Sequence, residues 1–127
     1  MKKAYSDLIY LASCAVNGDI PDAGRVADMD FKKLYKAASR HMLTSITAFA
    51  LERTGIHNSN FTQSKAQAIR KNIILDNERK ALFEKLDAAR IWHMPLKGAI
   101  LKNLYPSYGM RQMADNDFCL TQAAQMM

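Results

Sequence analysis

Two acids separated by one residue, Asp115 and Asp117, stand near the end of this 127-residue chain, with Lys97-Gly98 and Arg111 shortly before them. Successive side chains of an extended strand alternate. A strand over Ala114 to Leu120 therefore puts Asp115, Asp117 and Cys119 on one face and Asn116, Phe118 and Leu120 on the other. Like charges sharing a face repel unless a cation lies between them, and a hard divalent ion with oxygen ligands is the usual resolution. Taken singly, a D-x-D is more often a solvated turn or strand edge.

Lys97-Gly98 follows an apolar run and precedes a predicted helix. A backbone without Cβ can approach a phosphate there, and the helix start offers free N–H groups, with Lys97 adding a point charge. A glycine at such a junction is, by itself, more often a matter of backbone geometry. Arg111 has two readings of equal weight, a bridge to phosphate or a structural ion pair with a carboxylate.

In combination, Pro95-Leu96-Lys97-Gly98, Leu101, Tyr105-Pro106, Arg111, Met113 and Asp115-Asn116-Asp117 resemble the L-K-G…L…Y-P…R-x-M-S-D-I-D pattern of the uncharacterised nucleotidyltransferase family, within the polymerase-β-like superfamily. The resemblance implies a mixed sheet with a helix between its first two strands. It implies that the Gly98 turn holds a nucleoside triphosphate, with Lys97 and Arg111 on its phosphates. Asp115 and Asp117 are then the catalytic carboxylates, holding Mg²⁺ or Mn²⁺, and the nucleotidyl group passes to an acceptor hydroxyl on a protein, an RNA or a small molecule.

The chain departs from the pattern in three ways. Ala99 stands where many superfamily members carry Ser, which removes a hydroxyl from the turn. Asn116 replaces an apolar residue between the acids, and an amide left unpaired on the packed side of a sheet costs about 1–3 kcal/mol. The superfamily takes a third carboxylate from a later strand, and Gln122 to Met127 contains no acid. The expectation is a truncated site that binds nucleotide without appreciable turnover, its open sheet edge covered by a homo-oligomer or by a further C-terminal segment.

The elements that must position these residues are mostly helical. Tyr5, Leu8, Ile9, Ala12 and Val16 recur at helical spacing before Asn17-Gly18. Asp19 to Asp28 reads as a loop. Asp30 can cap a helix facing inward through Phe31, Leu34, Tyr35 and Ala38, and a third runs from Leu43 to Thr54 before Gly55. Thr62 can cap the longest pattern, which continues to Arg90 with Ala68, Leu75, Leu82, Leu86 and Ala89 in one arc. Its interleaved charges, including Asp76, Glu78 and Arg79, read as a solvated face in preference to a nucleic-acid face. Strands are expected over Ile91 to Leu96 and Ala114 to Leu120, with a short helix over Ala99 to Leu104 between them. The fold class is thus α+β and predominantly α, divided into a helical region, 1–90, and a partial nucleotidyltransferase-like α/β core, 91–127.

Composition narrows the partners. Apolar residues at 49% with 24% charged describe a globular chain, and a formal charge of +6 favours an anionic partner without choosing among nucleotide, nucleic acid and membrane surface. No stretch approaches a membrane span and no leader is recognisable, so a cytoplasmic protein without membrane contact is expected. Cys14 and Cys119 lack metal or disulfide spacing and are expected to be buried thiols. His41, His57 and His93 share no ligand spacing, whereas Tyr105 and Tyr108 could stack on a base. Two other function classes remain beside the enzyme: a non-catalytic helical binding or assembly module with a vestigial nucleotide site, and a basic helical nucleic-acid-binding protein.

Overall fold

The computed structural model describes residues 2–120. Its elements run α1 (Lys2–Asn17), α2 (Ala23–Ala27), α3 (Phe31–Arg40), α4 (Thr44–Glu52), α5 (Ser59–Ala88), β1 (His93–Leu96), α6 (Gly98–Leu101), a 3₁₀ turn (Lys102–Leu104) and β2 (Asp117–Leu120). The fold is α+β, predominantly α, with strands only after residue 91 among the described residues. Residues 121–127 of the expected α/β region lie outside the described residues.

α4 is the centre of the helical part. Thr44 to Ala48, Ala50 and Leu51 are all buried, and α1, α3 and α5 pack around them. The core they share includes Leu8, Leu11, Leu34, Ala37, Leu51 and Phe61. α1 turns Ala4, Leu8, Leu11 and Ala15 inward and leaves Ile9 and Val16 exposed, so its buried face is rotated from the one read in the sequence. Apolar residues occur around the whole of this helix, and only packing against α4 selects among them.

Local chemistry moved several boundaries. Asp22 caps α2, accepting from the Arg25 N–H at 3.0 Å, so the expected loop holds a short helix. Asp30 caps α3 as expected, accepting from the Lys32 and Lys33 amides. Asn58, not Thr62, caps α5 by accepting from the Asn60 and Phe61 amides, which starts the helix a turn early. At 30 residues, α5 is about 45 Å long.

The sheet has two antiparallel strands, with His93 opposite Leu120 and Leu96 opposite Asp117. The chain turns away from the ladder at Lys97, so nothing before Asp117 has a partner on β1. β2 therefore starts at Asp117 instead of Ala114, and Asp115 lies in the segment leading into it. Cys14 is buried, but Cys119 is exposed, which corrects the expectation of two buried thiols. Cys119 sits on the face of β2 opposite Phe118, away from α5. Among the described residues no helix is long and apolar enough to cross a membrane.

Candidate functional site

The Lys97-Gly98 turn joins β1 to α6. Lys97 has φ 52° and ψ −122°, a backbone conformation disfavoured for a residue with a Cβ. Its carbonyl accepts from Ile100 N–H at 3.0 Å and Leu101 N–H at 2.8 Å, and no side chain caps the helix. Gly98 is needed for space. A Cβ there would meet the Met113 Cε and Sδ at 3.1 Å and the Arg111 Nε at 3.3 Å. The turn is thus covered from one side by the two motif residues that precede the acids, and the Arg111 Nε is buried there without a hydrogen-bond partner.

The Lys97 Nζ lies 3.5 Å from the Asp117 Oδ2. The register explains this. Leu96 is opposite Asp117, so the residue leaving β1 reaches across to the first carboxylate of β2. Asn116 and Phe118 turn toward α5: the Asn116 Nδ2 donates to the Leu75 carbonyl at 2.8 Å, and the Phe118 ring meets Phe83 edge-on at 6.0 Å. The Asn116 Oδ1 accepts from the Arg79 guanidinium at 3.3 Å. The amide between the acids is therefore paired at both its nitrogen and its oxygen, and the penalty expected for an unpaired one does not arise. Asp115 is exposed and borders a cavity of about 420 Å³ whose walls include Lys71, Glu78, Arg79 and Asn116.

One stripe of α5 holds nearly all of this in place. The Asn72 Nδ2, buried, donates to the Arg111 carbonyl at 3.2 Å. Asp76 accepts from Arg79 at 2.8 Å, from the Tyr108 hydroxyl at 2.6 Å and from the Lys102 ammonium. Phe83 stacks on His93 with centroids 4.2 Å apart, and Asp87 reaches the His93 Nε2 at 2.7 Å. Residues 72, 76, 79, 83 and 87 recur at spacings of three and four, so they lie along one side of the helix. The sequence reading placed Asp76 and Arg79 on a solvated face. The available signal was that Asn72, Asp76, Arg79 and Phe83 flank the apolar arc through Leu75 and Leu82.

Burial by itself would raise the Asp76 carboxyl, but donation from Lys102, Tyr108 and Arg79 holds it below the ordinary carboxylate range. Partial desolvation and then the Asp76 carboxylate push the Tyr108 phenol up to about 12. With Tyr108 48% exposed, the carboxylate is the stronger physical cause. Tyr108 thus ties its loop to α5, and Tyr105 packs against the helical core. A second anchor comes from α4, where the Ser45 hydroxyl donates to the Gly109 carbonyl at 2.6 Å and the Thr44 hydroxyl to the Gln112 Oε1 at 3.1 Å.

The resulting arrangement is a strained turn facing the half-exposed Asp117 carboxylate across two strands, with the segment between them bolted to two helices. The model of an uncharacterised nucleotidyltransferase family matches residues 27–126. The chain belongs to this family. No match was found among curated proteins or among solved structures. Family membership supports a general nucleotidyltransferase-like function and implies a nucleotide substrate, and nucleotidyltransferases of this kind usually use divalent metals. The matched segment begins in α2, so the helices that clamp the motif belong to the family as much as the motif does.

Among the described residues no group of three or more His, Cys, Asp and Glu side chains could hold an ion. Two carboxylates are nonetheless what Mg²⁺ commonly takes from protein when phosphate oxygens and water complete its octahedron.

Proposed function

We propose that this family member binds a nucleoside triphosphate with Mg²⁺ at the Lys97-Gly98 turn and transfers a nucleotidyl group to a hydroxyl acceptor. The observation that carries the reading is the juxtaposition of the strained Lys97 turn with Asp117 across the Leu96–Asp117 pair. Lys97 and the Gly98 backbone contact the phosphates. The Arg111 Nε, buried without a partner beside the turn, is a second cation for them. Asp115 and Asp117 are the oxygen donors for the ion, which supplies charge neutralisation on the phosphates and orients the α-phosphorus for in-line attack. The protein's own part is positioning: Asn116 fixes the acids relative to α5, and Asp76 fixes the segment that follows the turn.

The Lys97–Asp117 ion pair favours a second reading, in which the acid serves structure and the nucleotide site is vestigial. The pair is a weak reason to keep an acid there. Lys97 is 76% exposed and Asp117 41%, and such surface pairs contribute about 0–1 kcal/mol. Calorimetric titration of Mg-ATP into wild type and the Asp115→Asn/Asp117→Asn double variant decides between the readings. Metal-dependent binding lost in the variant is the expected result. Equal binding by both removes the carboxylates from the site.

A further inference from the structure

Beside the acid motif, between α3, α4 and α5, lies a second cavity of about 340 Å³, a size suited to a small metabolite. Its walls carry Ser39, Ser64, Gln67, Lys71 and Gln112, and no carboxylate. The Ser64 hydroxyl is hydrogen-bonded to the Tyr35 hydroxyl at 2.9 Å, while the Gln112 Oε1 is already engaged by Thr44 and Ser45, which leaves its amide N–H₂ as donor. Lys71 has no ion pair among the described residues. Two of its lining residues also belong to the surroundings of the proposed nucleotide site: the Met113 side chain packs against Gly98, and Lys71 also lines the cavity that Asp115 borders.

We propose that this cavity is the acceptor subsite and takes a small polyhydroxylated anion. Lys71 receives the anionic group, and the serine hydroxyls and glutamine amides receive the ligand's hydroxyls. A cavity lined by one unpaired ammonium and uncharged hydrogen-bonding groups discriminates against cations, and exchanges bonds with a polyol at little net loss. The inference rests on the nucleotidyltransferase reading for the word acceptor. In the transfer, the acceptor hydroxyl oxygen bonds to the α-phosphorus and the bond from that phosphorus to the β-phosphate oxygen breaks. Pyrophosphate leaves, and the hydroxyl proton passes to water.

The test uses the full chain, labelled with ¹⁵N and followed by NMR at the side-chain amides of Gln67 and Gln112. Ribose 5-phosphate, gluconate and ribose are titrated separately without nucleotide, so phosphate, carboxylate and neutral polyol are distinguished. Saturable shifts at both amides with at least one of the two anions, about tenfold weaker with ribose and with the Lys71→Gln variant, support the proposal. Lys71 is exposed, so that variant is expected to fold. No saturable shift with either anion, or shifts undiminished in Lys71→Gln, overturns it. Failure of the Mg-ATP titration with these shifts intact would remove the nucleotide site and leave an anion-binding cavity. The reverse outcome would remove the acceptor subsite alone.

Discussion

Replacing Asp76 with asparagine tests whether one side chain holds the motif region on α5. Its carboxylate accepts from Arg79, Lys102 and Tyr108. The side chain is 27% exposed, against 20% for Arg79 and 7% for Lys102. A fully exposed pair is worth at most about 1 kcal/mol, whereas removing one partner of a buried pair costs about 3–5 kcal/mol. With Asp76 between these limits, and two cations left facing an amide that can accept fewer hydrogen bonds, the expected loss is about 2–3 kcal/mol. For a chain of this size that lowers the melting temperature by roughly 6–15 °C. The pH dependence follows from the same contacts. A carboxyl depressed below 3.8 in the folded state contributes stability above that pH and loses it as pH falls through the folded value. The Tyr108 phenol, raised from 10.0 to about 12, contributes stability below pH 10 and loses it between 10 and 12. Thermal melts give the first quantity. Tyrosinate absorbance gives the second, with Tyr108 titrating late in wild type and at a lower pH in Asp76→Asn. A melting temperature within about 2 °C of wild type together with an unchanged late titration would refute the role of Asp76.

Two further substitutions probe the anchoring of the motif. Gly109→Ala introduces a Cβ 3.2 Å from the Ile69 Cα, closer still to the Ile69 Cγ1, at a φ of +85°, and should cost about 2–4 kcal/mol in urea unfolding; a change under about 0.5 kcal/mol would mean that the loop can move off α5. Lys97→Gly removes a disfavoured backbone conformation, so stability should be unchanged or rise by up to about 1 kcal/mol while Mg-ATP binding weakens several-fold; a clear loss of stability would mean that the Lys97 turn is not strained.

The four helical segments read from the sequence are present, because their periodicity extends over many residues and depends on local geometry alone. The order Lys97-Gly98, Arg111, Asp115, Asp117 was legible for a different reason. Residue type and spacing along a chain are retained whatever surrounds them, and this order is what pointed to the family. What sequence could not supply was the choice among equivalent faces and the partners of polar groups. α1 carries apolar residues on more than one side, and α4 selects Leu11 over Ile9. Asp76 and Arg79 look like any solvated pair along α5 until the chain returns more than twenty residues later to place Lys102, Tyr108 and Asn116 against them. The same return pairs the Asn116 amide with the Leu75 carbonyl and ends the ladder at Leu96–Asp117, leaving Asp115 outside the strand. Each of these is a contact between residues distant in sequence. Its free energy depends on which groups the tertiary packing desolvates together, and no local pattern carries that information.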